Sequence, residues 1–193
     1  AYFLERTQFY IVSFLWIALF IGFYLLLKNK NSSFNTLIIV AILFRCIFIF
    51  ATPNLSQDFY RFIWDGRMLL NGFNPYLSLP ESFMQLNLQP IAEASTLYDG
   101  MGKLNGSHYT NYPPLNQLCF FIAALFASKS IFSSIIVLRV LIIGADIGIL
   151  YFGKKLLERL NLPIKNIFWY LLNPFIIIEM TGNLHFEPVM LFF

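Results

Sequence analysis

The chain has 193 residues, of which 58% are hydrophobic and only 12% charged, with a mean hydropathy of +0.67. A soluble domain of this composition would lack the polar surface to cover itself, so a bilayer is the expected solvent. The net charge of +3 is small and dispersed, which excludes the concentrated basic footprint of a nucleic-acid-binding protein.

A spanning helix needs about 20 apolar residues, so the length allows roughly five spans and one sizeable loop. The expected fold is all-α, a multi-pass transmembrane helical bundle forming one domain over 1–193. The chain begins at Ala1 without a methionine and stops inside the apolar run Pro188-Val189-Met190-Leu191-Phe192-Phe193, so it is expected to be a fragment of a longer protein. Cys46 and Cys119 lie in apolar runs, where a cysteine is usually a small buried hydrophobe, and they give no support to a disulfide framework.

The first predicted span is 8–27, an unbroken apolar run around Trp16, too long for a cleaved secretion signal and followed at once by Lys28 and Lys30. A second, 37–52, carries one charge, Arg45, and is closed by Pro53. Polar and turn residues then dominate 53–111, where five carboxylates face three bases. By the positive-inside rule the Lys pair belongs in the cytoplasm and this long loop, with interfacial helices, on the opposite side.

A short apolar run, 115–128, and a long one, 131–152, follow, the latter carrying Arg139 and Asp146. Charges at membrane depth are costly, and these two, on one helical face, are expected to find partners on neighbouring helices or to line a functional cavity. Lys154, Lys155, Arg159 and Lys165 against Glu158 make the next loop look cytoplasmic, whereas two full crossings before it would put it outside. The topology of 115–166 therefore stays open. The run 167–181 is interrupted by Asn173-Pro174, which should break the helix where freed backbone groups face protein or a wet cavity, and another span starts at 187.

The segment with the most chemistry is Ser56-Gln57-Asp58-Phe59-Tyr60-Arg61-Phe62-Ile63-Trp64-Asp65-Gly66-Arg67. With Ser56 as a cap, a helix from 57 to about 70 places Asp58, Arg61 and Asp65 on one face, Gly72 ends it in a left-handed conformation, and Asn74-Pro75 makes a turn. A carboxylate beside the membrane suits glycosyl transfer, in which an attacking hydroxyl must lose its proton, and Arg61 and Arg67 have the charge to steady a departing phosphate. The same residues also fit an interfacial helix with an i, i+3 ion pair and an aromatic anchor, and spacing does not choose between these readings.

Taken together, DFYRFIWDGRMLLNGFNPY, Tyr112-Pro113-Pro114-Leu115, Leu172-Asn173-Pro174 through Glu179, and Gly182-Asn183-Leu184-His185-Phe186-Glu187 resemble the GT-C class of polytopic glycosyltransferases. The closest similarity is to the N-terminal portion of polyprenyl-phosphate-mannose-dependent mannosyltransferases. That resemblance implies transfer of a hexose, mannose by preference, from a polyprenyl-phosphate donor to a glycan or lipid acceptor at the non-cytoplasmic face, with the bacterial cytoplasmic membrane as the expected location. Asp58 matches the acidic residue of the first large outer loop that serves in catalysis. GT-C enzymes often pair that acid with a second, whereas here Asp58 is alone in Gln57-Asp58-Phe59, so no metal or other cofactor is expected, one carboxylate being a poor divalent-ion site.

In this reading Arg61, Arg67 and Arg139 meet the donor phosphate, and Tyr60, Trp64, Tyr76 and Tyr112 contact sugar or lipid. Asp65, His108, Glu179, Asn183, His185 and Glu187 are secondary candidates. His185 and Glu187 alone make a weak metal signal. A transporter or flippase of lipid-linked sugars, using the broken helix and the intramembrane charges to hold cargo without cutting it, is the alternative; no repeat of the kind such proteins often carry is visible.

Overall fold

The computed structural model describes residues 7–29 and 31–193, so Lys30, half of the basic pair read above, lies outside the described residues. Nine α-helices are found in this part: α1 (Phe9–Lys28), α2 (Phe34–Cys46), α3 (Asp58–Leu70), α4 (Pro80–Gln85), α5 (Ala94–Gly106), α6 (Pro114–Ala127), α7 (Ile131–Arg159), α8 (Phe168–Leu171) and α9 (Glu187–Phe192). There are also 3-10 turns at Pro75–Leu77 and Ile164–Ile167 and a π-helical turn at Ile176–Gly182, and no strand is present among the described residues. Two helices, α1 and α7, are long and apolar enough to cross a membrane, while α2 and α6 are apolar but shorter.

The helices fall into two compact units. One holds the chain up to Leu55 together with Ile142–Phe193, the other Ser56–Leu141. The first unit is built on a cluster of Phe23, Leu37, Ala41, Ile167, Phe168, Leu171 and Leu172, which joins α1, α2 and α8. α2 begins at Ser33, whose hydroxyl accepts from the Thr36 amide at 3.1 Å, the usual way to satisfy an orphan N–H at a helix start. Its helix starts earlier and stops earlier than the predicted run 37–52: after Cys46 the chain goes on in tight turns, Phe48 N–H to Arg45 O and Ile49 N–H to Cys46 O. Apolar composition favours burial without fixing a helix end. α7 instead outruns its predicted end, because the residues from Lys154 to Arg159 are mostly good helix formers and carry the helix on as a charged, largely exposed extension.

Asn173-Pro174 breaks the last long apolar run as expected. α8 ends at Leu171, the Asn173 side-chain oxygen accepts from the Phe175 amide at 2.9 Å, and the chain resumes as the π-turn. Pro174 has no N–H, and Phe175 spends its own on Asn173, so the Leu171 carbonyl lacks its helical partner. Arg45 supplies one: its Nη1 donates to Leu171 O at 2.6 Å and to Ala41 O at 3.1 Å, while Nε meets Asp146 at 2.7 Å. Asp146 also accepts from the Tyr170 hydroxyl at 3.0 Å. Thus the lone charge of the second apolar run and one of the two charges within the predicted span of α7 neutralise each other where the helix is broken.

The second unit is α3 laid against α5 and α6. Phe59, Phe62, Ile63, Trp64 and Met68 of α3 are buried with Leu97 and Met101 of α5 and Phe120, Ala123 and Ala124 of α6. Phe62 stacks on Phe120 at 4.6 Å between centroids. The crossing is close at Gly66, where an added Cβ would run into the carbonyl oxygen of Phe120. Backbone cannot swing aside as a side chain can, so Gly66→Ala should force α3 and α6 apart and cost about 1–3 kcal/mol. A thermal midpoint for Gly66→Ala equal to that of the unaltered protein would show that the crossing tolerates a methyl group.

Candidate functional site

α3 places Asp58 at its first position and Arg61 and Asp65 one and two turns on. The Ser56 hydroxyl accepts from the Asp58 amide at 3.3 Å, and Gly72, with φ of +80°, closes the far end. Asn74 then takes the Tyr76 amide at 2.9 Å, opening the 3-10 turn at Pro75. The Asp58 carboxylate is half-buried and accepts from Asn105 Nδ2 of α5 at 3.3 Å.

Arg61 and Asp65 are buried beside it. Arg61 Nε donates to Asp65 Oδ1 at 2.8 Å and Nη1 to the carbonyls of Asn105 (2.5 Å) and His108 (3.0 Å). Gln117, a polar residue within apolar α6, donates to Asp65 Oδ2 at 2.9 Å and to the Thr110 hydroxyl at 3.1 Å. This network ties the end of α5, the following loop and α6 to one face of α3. Burial raises the Asp65 carboxyl above its ordinary 3.8, with Arg61, Thr110 and Gln117 opposing the rise.

A raised carboxyl pKa means that the folded state holds its proton more tightly than the unfolded chain. Asp65 therefore contributes less stability as pH climbs through the window that begins near 3.8 and ends at the raised value. Asp65→Asn removes this titration. The difference in thermal midpoint between the two proteins should shift in favour of the variant as pH rises through that window, and then level off. A difference constant with pH would show that Asp65 titrates normally.

Arg67 faces the other way. Its Nη1 donates to Ala92 O at 2.6 Å and Nη2 to Glu93 at 3.1 Å, and Glu93 also accepts from the Ile131 amide at 3.1 Å, capping the start of α7. Burial draws the Arg67 pKa below its ordinary value while Glu93 opposes the change. Trp64 is enclosed, 1% exposed, near Phe83 at 6.4 Å. Tyr60 covers the backbone of Gly100, where a Cβ would sit 2.6 Å from the ring. The Tyr76 hydroxyl donates to Tyr112 O at 2.6 Å, and burial and the Asp65 charge raise its pKa, which keeps the proton on. The Tyr112 ring packs edge-on to Phe62 at 4.9 Å.

Arg61 and residues of the stretch 104–112 wall a cleft of about 430 Å³. His108 borders it with its Nδ1 2.6 Å from Leu104 O. A carbonyl oxygen only accepts, so this nitrogen carries a hydrogen, and in the neutral ring Nε2 is then the acceptor.

The remaining candidates lie elsewhere. Arg139 is fully buried in the second unit. In the first unit, Asn183 donates to Glu179 at 3.0 Å and accepts from the Leu55 amide at 3.3 Å, Leu184 sits at φ of +62°, the His185 Nε2 is enclosed without a partner among the described residues, and Glu187 is exposed. Among the described residues no three His, Cys, Asp or Glu side chains gather as a metal site.

Asn105, Gln117 and Asn111 belong to the site or its supports and escape a reading of the sequence. Gln117 has a legible signal, since an amide inside an apolar run must find a partner. Asn105 has none apart from a short glycosylation pattern.

This arrangement sets a supported carboxylate beside a polar cleft. The family model of the alpha-(1->6)-mannopyranosyltransferase N-terminal domain matches residues 5–193. The chain belongs to that family. It is a family of glycosyltransferases, so the enzyme class read from the DFYRFIWDG and Asn-Pro motifs stands, as does the resemblance itself. Comparisons with curated proteins and with solved structures gave no match.

Proposed function

We propose that this chain is part of an enzyme that moves mannose from a polyprenyl-phosphate carrier to a glycan or lipid acceptor, at the non-cytoplasmic face of a membrane it crosses several times. In this reading Asp58 is the general base. The acceptor hydroxyl oxygen attacks C1 of the mannosyl group, its proton passes to the Asp58 carboxylate, and the C1–O bond to phosphate breaks with its electron pair going to the leaving phosphate.

The observation that carries the proposal is Asp58 itself: a half-buried carboxylate at the start of α3, steadied by Asn105 and adjoining a polar cleft, in a chain whose family transfers mannose. The apolar helices support a lipid-borne donor. α1 exposes Phe9, Tyr10, Phe14 and Ile17 along its length, a surface that suits acyl or isoprenoid chains better than water. The Asn-Pro break, met by Arg45 at Leu171, fits an irregular backbone held inside a membrane bundle.

The test is transfer of radiolabelled mannose by membranes containing the full-length protein. Polyprenyl-phosphate-mannose should be consumed and nucleotide-linked mannose should not. Transfer from the nucleotide donor alone would overturn the assignment of the donor, and transfer from neither would overturn the reaction.

A further inference from the structure

We propose that the cleft between Arg61 and residues 104–112 is the acceptor subsite, and that it takes a neutral saccharide, not a phosphate. Its name as acceptor site rests on the mannosyl-transfer reading, while its preference for a saccharide follows from its own wall.

Its volume of about 430 Å³ lies within the range of roughly 300–1,000 Å³ common for small-molecule sites. Its wall contains one cation, Arg61, which is 4% exposed and already spent. Asp65 balances the charge at 2.8 Å, and two backbone carbonyls take Nη1, so that only Nη2 lacks a partner among the described residues, and it is closed off from the surface. A phosphate oxyanion is held by unspent charge and several N–H donors together. Nη2 is enclosed, so Arg61 offers an oxyanion neither free charge nor an accessible donor, and neutral hydroxyl groups match the cleft better.

The other groups have the mixed character that a sugar ring requires. Asn111 and Tyr109 are exposed and make no hydrogen bond within the described chain, so an amide and a phenol are available to give and accept. His108, with its hydrogen fixed on Nδ1 by Leu104 O, offers Nε2 as an acceptor. Tyr109 also brings an aromatic face for the apolar side of a hexose. Asn105 links the two parts of the site, since it lines the cleft and donates to Asp58. A saccharide seated in the cleft would thus present a hydroxyl toward the base that must deprotonate it.

The experiment uses the full-length protein in membranes, with Tyr109→Ala and Asn111→Ala made singly and together. Both residues are exposed, so the fold does not depend on them. Donor and acceptor are varied independently, an α-linked mannoside serving as acceptor. The double variant should raise the acceptor KM about tenfold or more, the loss of one or two hydrogen bonds, with the donor KM unchanged. A raised donor KM with an unchanged acceptor KM, or no change in either, overturns the proposal.

Direct binding distinguishes a failure of the cleft from a failure of the reaction. Saturation-transfer NMR with methyl α-mannoside should show contact with the unaltered protein that the double variant loses. Contact of this kind without any transfer would leave the saccharide cleft standing and sink only the transferase reading. No contact with the unaltered protein, or displacement of the mannoside by millimolar inorganic phosphate, overturns the cleft assignment even if transfer occurs.

Discussion

An Asp58→Asn variant of the full-length protein is expected to lose about 10²- to 10⁴-fold in mannose-transfer rate, the usual contribution of a positioned general base. The substitution isolates the chemistry because it is nearly isosteric. The amide oxygen it introduces can still accept from Asn105 Nδ2, and the Ser56 hydroxyl still meets the backbone amide at this position. What disappears is the carboxylate proposed to take the acceptor proton. The loss should therefore appear in kcat, with the donor KM little changed, at equal membrane abundance and equal thermal midpoint. An Asp58→Asn protein that transfers mannose at the full rate would remove Asp58 from the mechanism and turn attention to the His108 imidazole on the neighbouring cleft.

The second large effect concerns stability. Arg45 and Asp146 are each 2% exposed, and their pairing at 2.7 Å is their main compensation for leaving water. Asp146→Leu leaves the guanidinium with only the carbonyls of Ala41 and Leu171, and Arg45→Leu leaves the carboxylate with only Tyr170. Each single variant should destabilise the protein by about 3–5 kcal/mol, because an unpaired buried charge is worse than no charge at all. The double variant should cost much less than the sum of the two singles, though more than nothing, since the Leu171 carbonyl and the Tyr170 hydroxyl then lack their partners. Denaturation of the four proteins in the same detergent measures the coupling. Strictly additive losses would mean that the two side chains do not act as a pair.

The Leu171 carbonyl gives this pair a role in shaping the broken helix as well as in stability. The Asn-Pro break frees that carbonyl, and Arg45 receives it from another helix. The backbone after the break then winds as the π-turn carrying Glu179. A loosened Arg45 would unfasten the break first, so the single variants should show faster amide exchange over 171–182 than elsewhere in their unit.

The local grammar of α3 is readable because each signal acts within a few residues. A carboxylate in the first turn, Gly72 in the left-handed region and Asn74-Pro75 after it behave as their intrinsic preferences require, whereas the helix starts at Asp58 and the cap position falls to Gln57, not to Ser56, whose hydroxyl instead accepts from the Asp58 amide. The same holds for the break at Asn173-Pro174, which follows from a missing N–H in one residue. Apolar runs mark where helices lie, and their ends are less secure, as the early stop of α2 and the long extension of α7 show.

Residue order alone thus yields an all-helical, strongly apolar chain with Asp58, Arg61 and Asp65 on one helical face, and its motifs carry the family. Which charges meet is settled by packing. Arg61 and Arg67 look alike in sequence, two arginines on one helix behind the same carboxylate, yet one turns toward Asp65 and the cleft and the other toward Glu93 and the start of α7. Arg45 finds Asp146, 101 positions away, and Asn105 finds Asp58 across 47. The physical reason is that a buried charge or amide must be satisfied by some partner, while sequence limits only the partners within its own turn of helix. Which distant group arrives is set by how the helices pack, and at Gly66 and Gly100 that packing depends on the absence of a single Cβ.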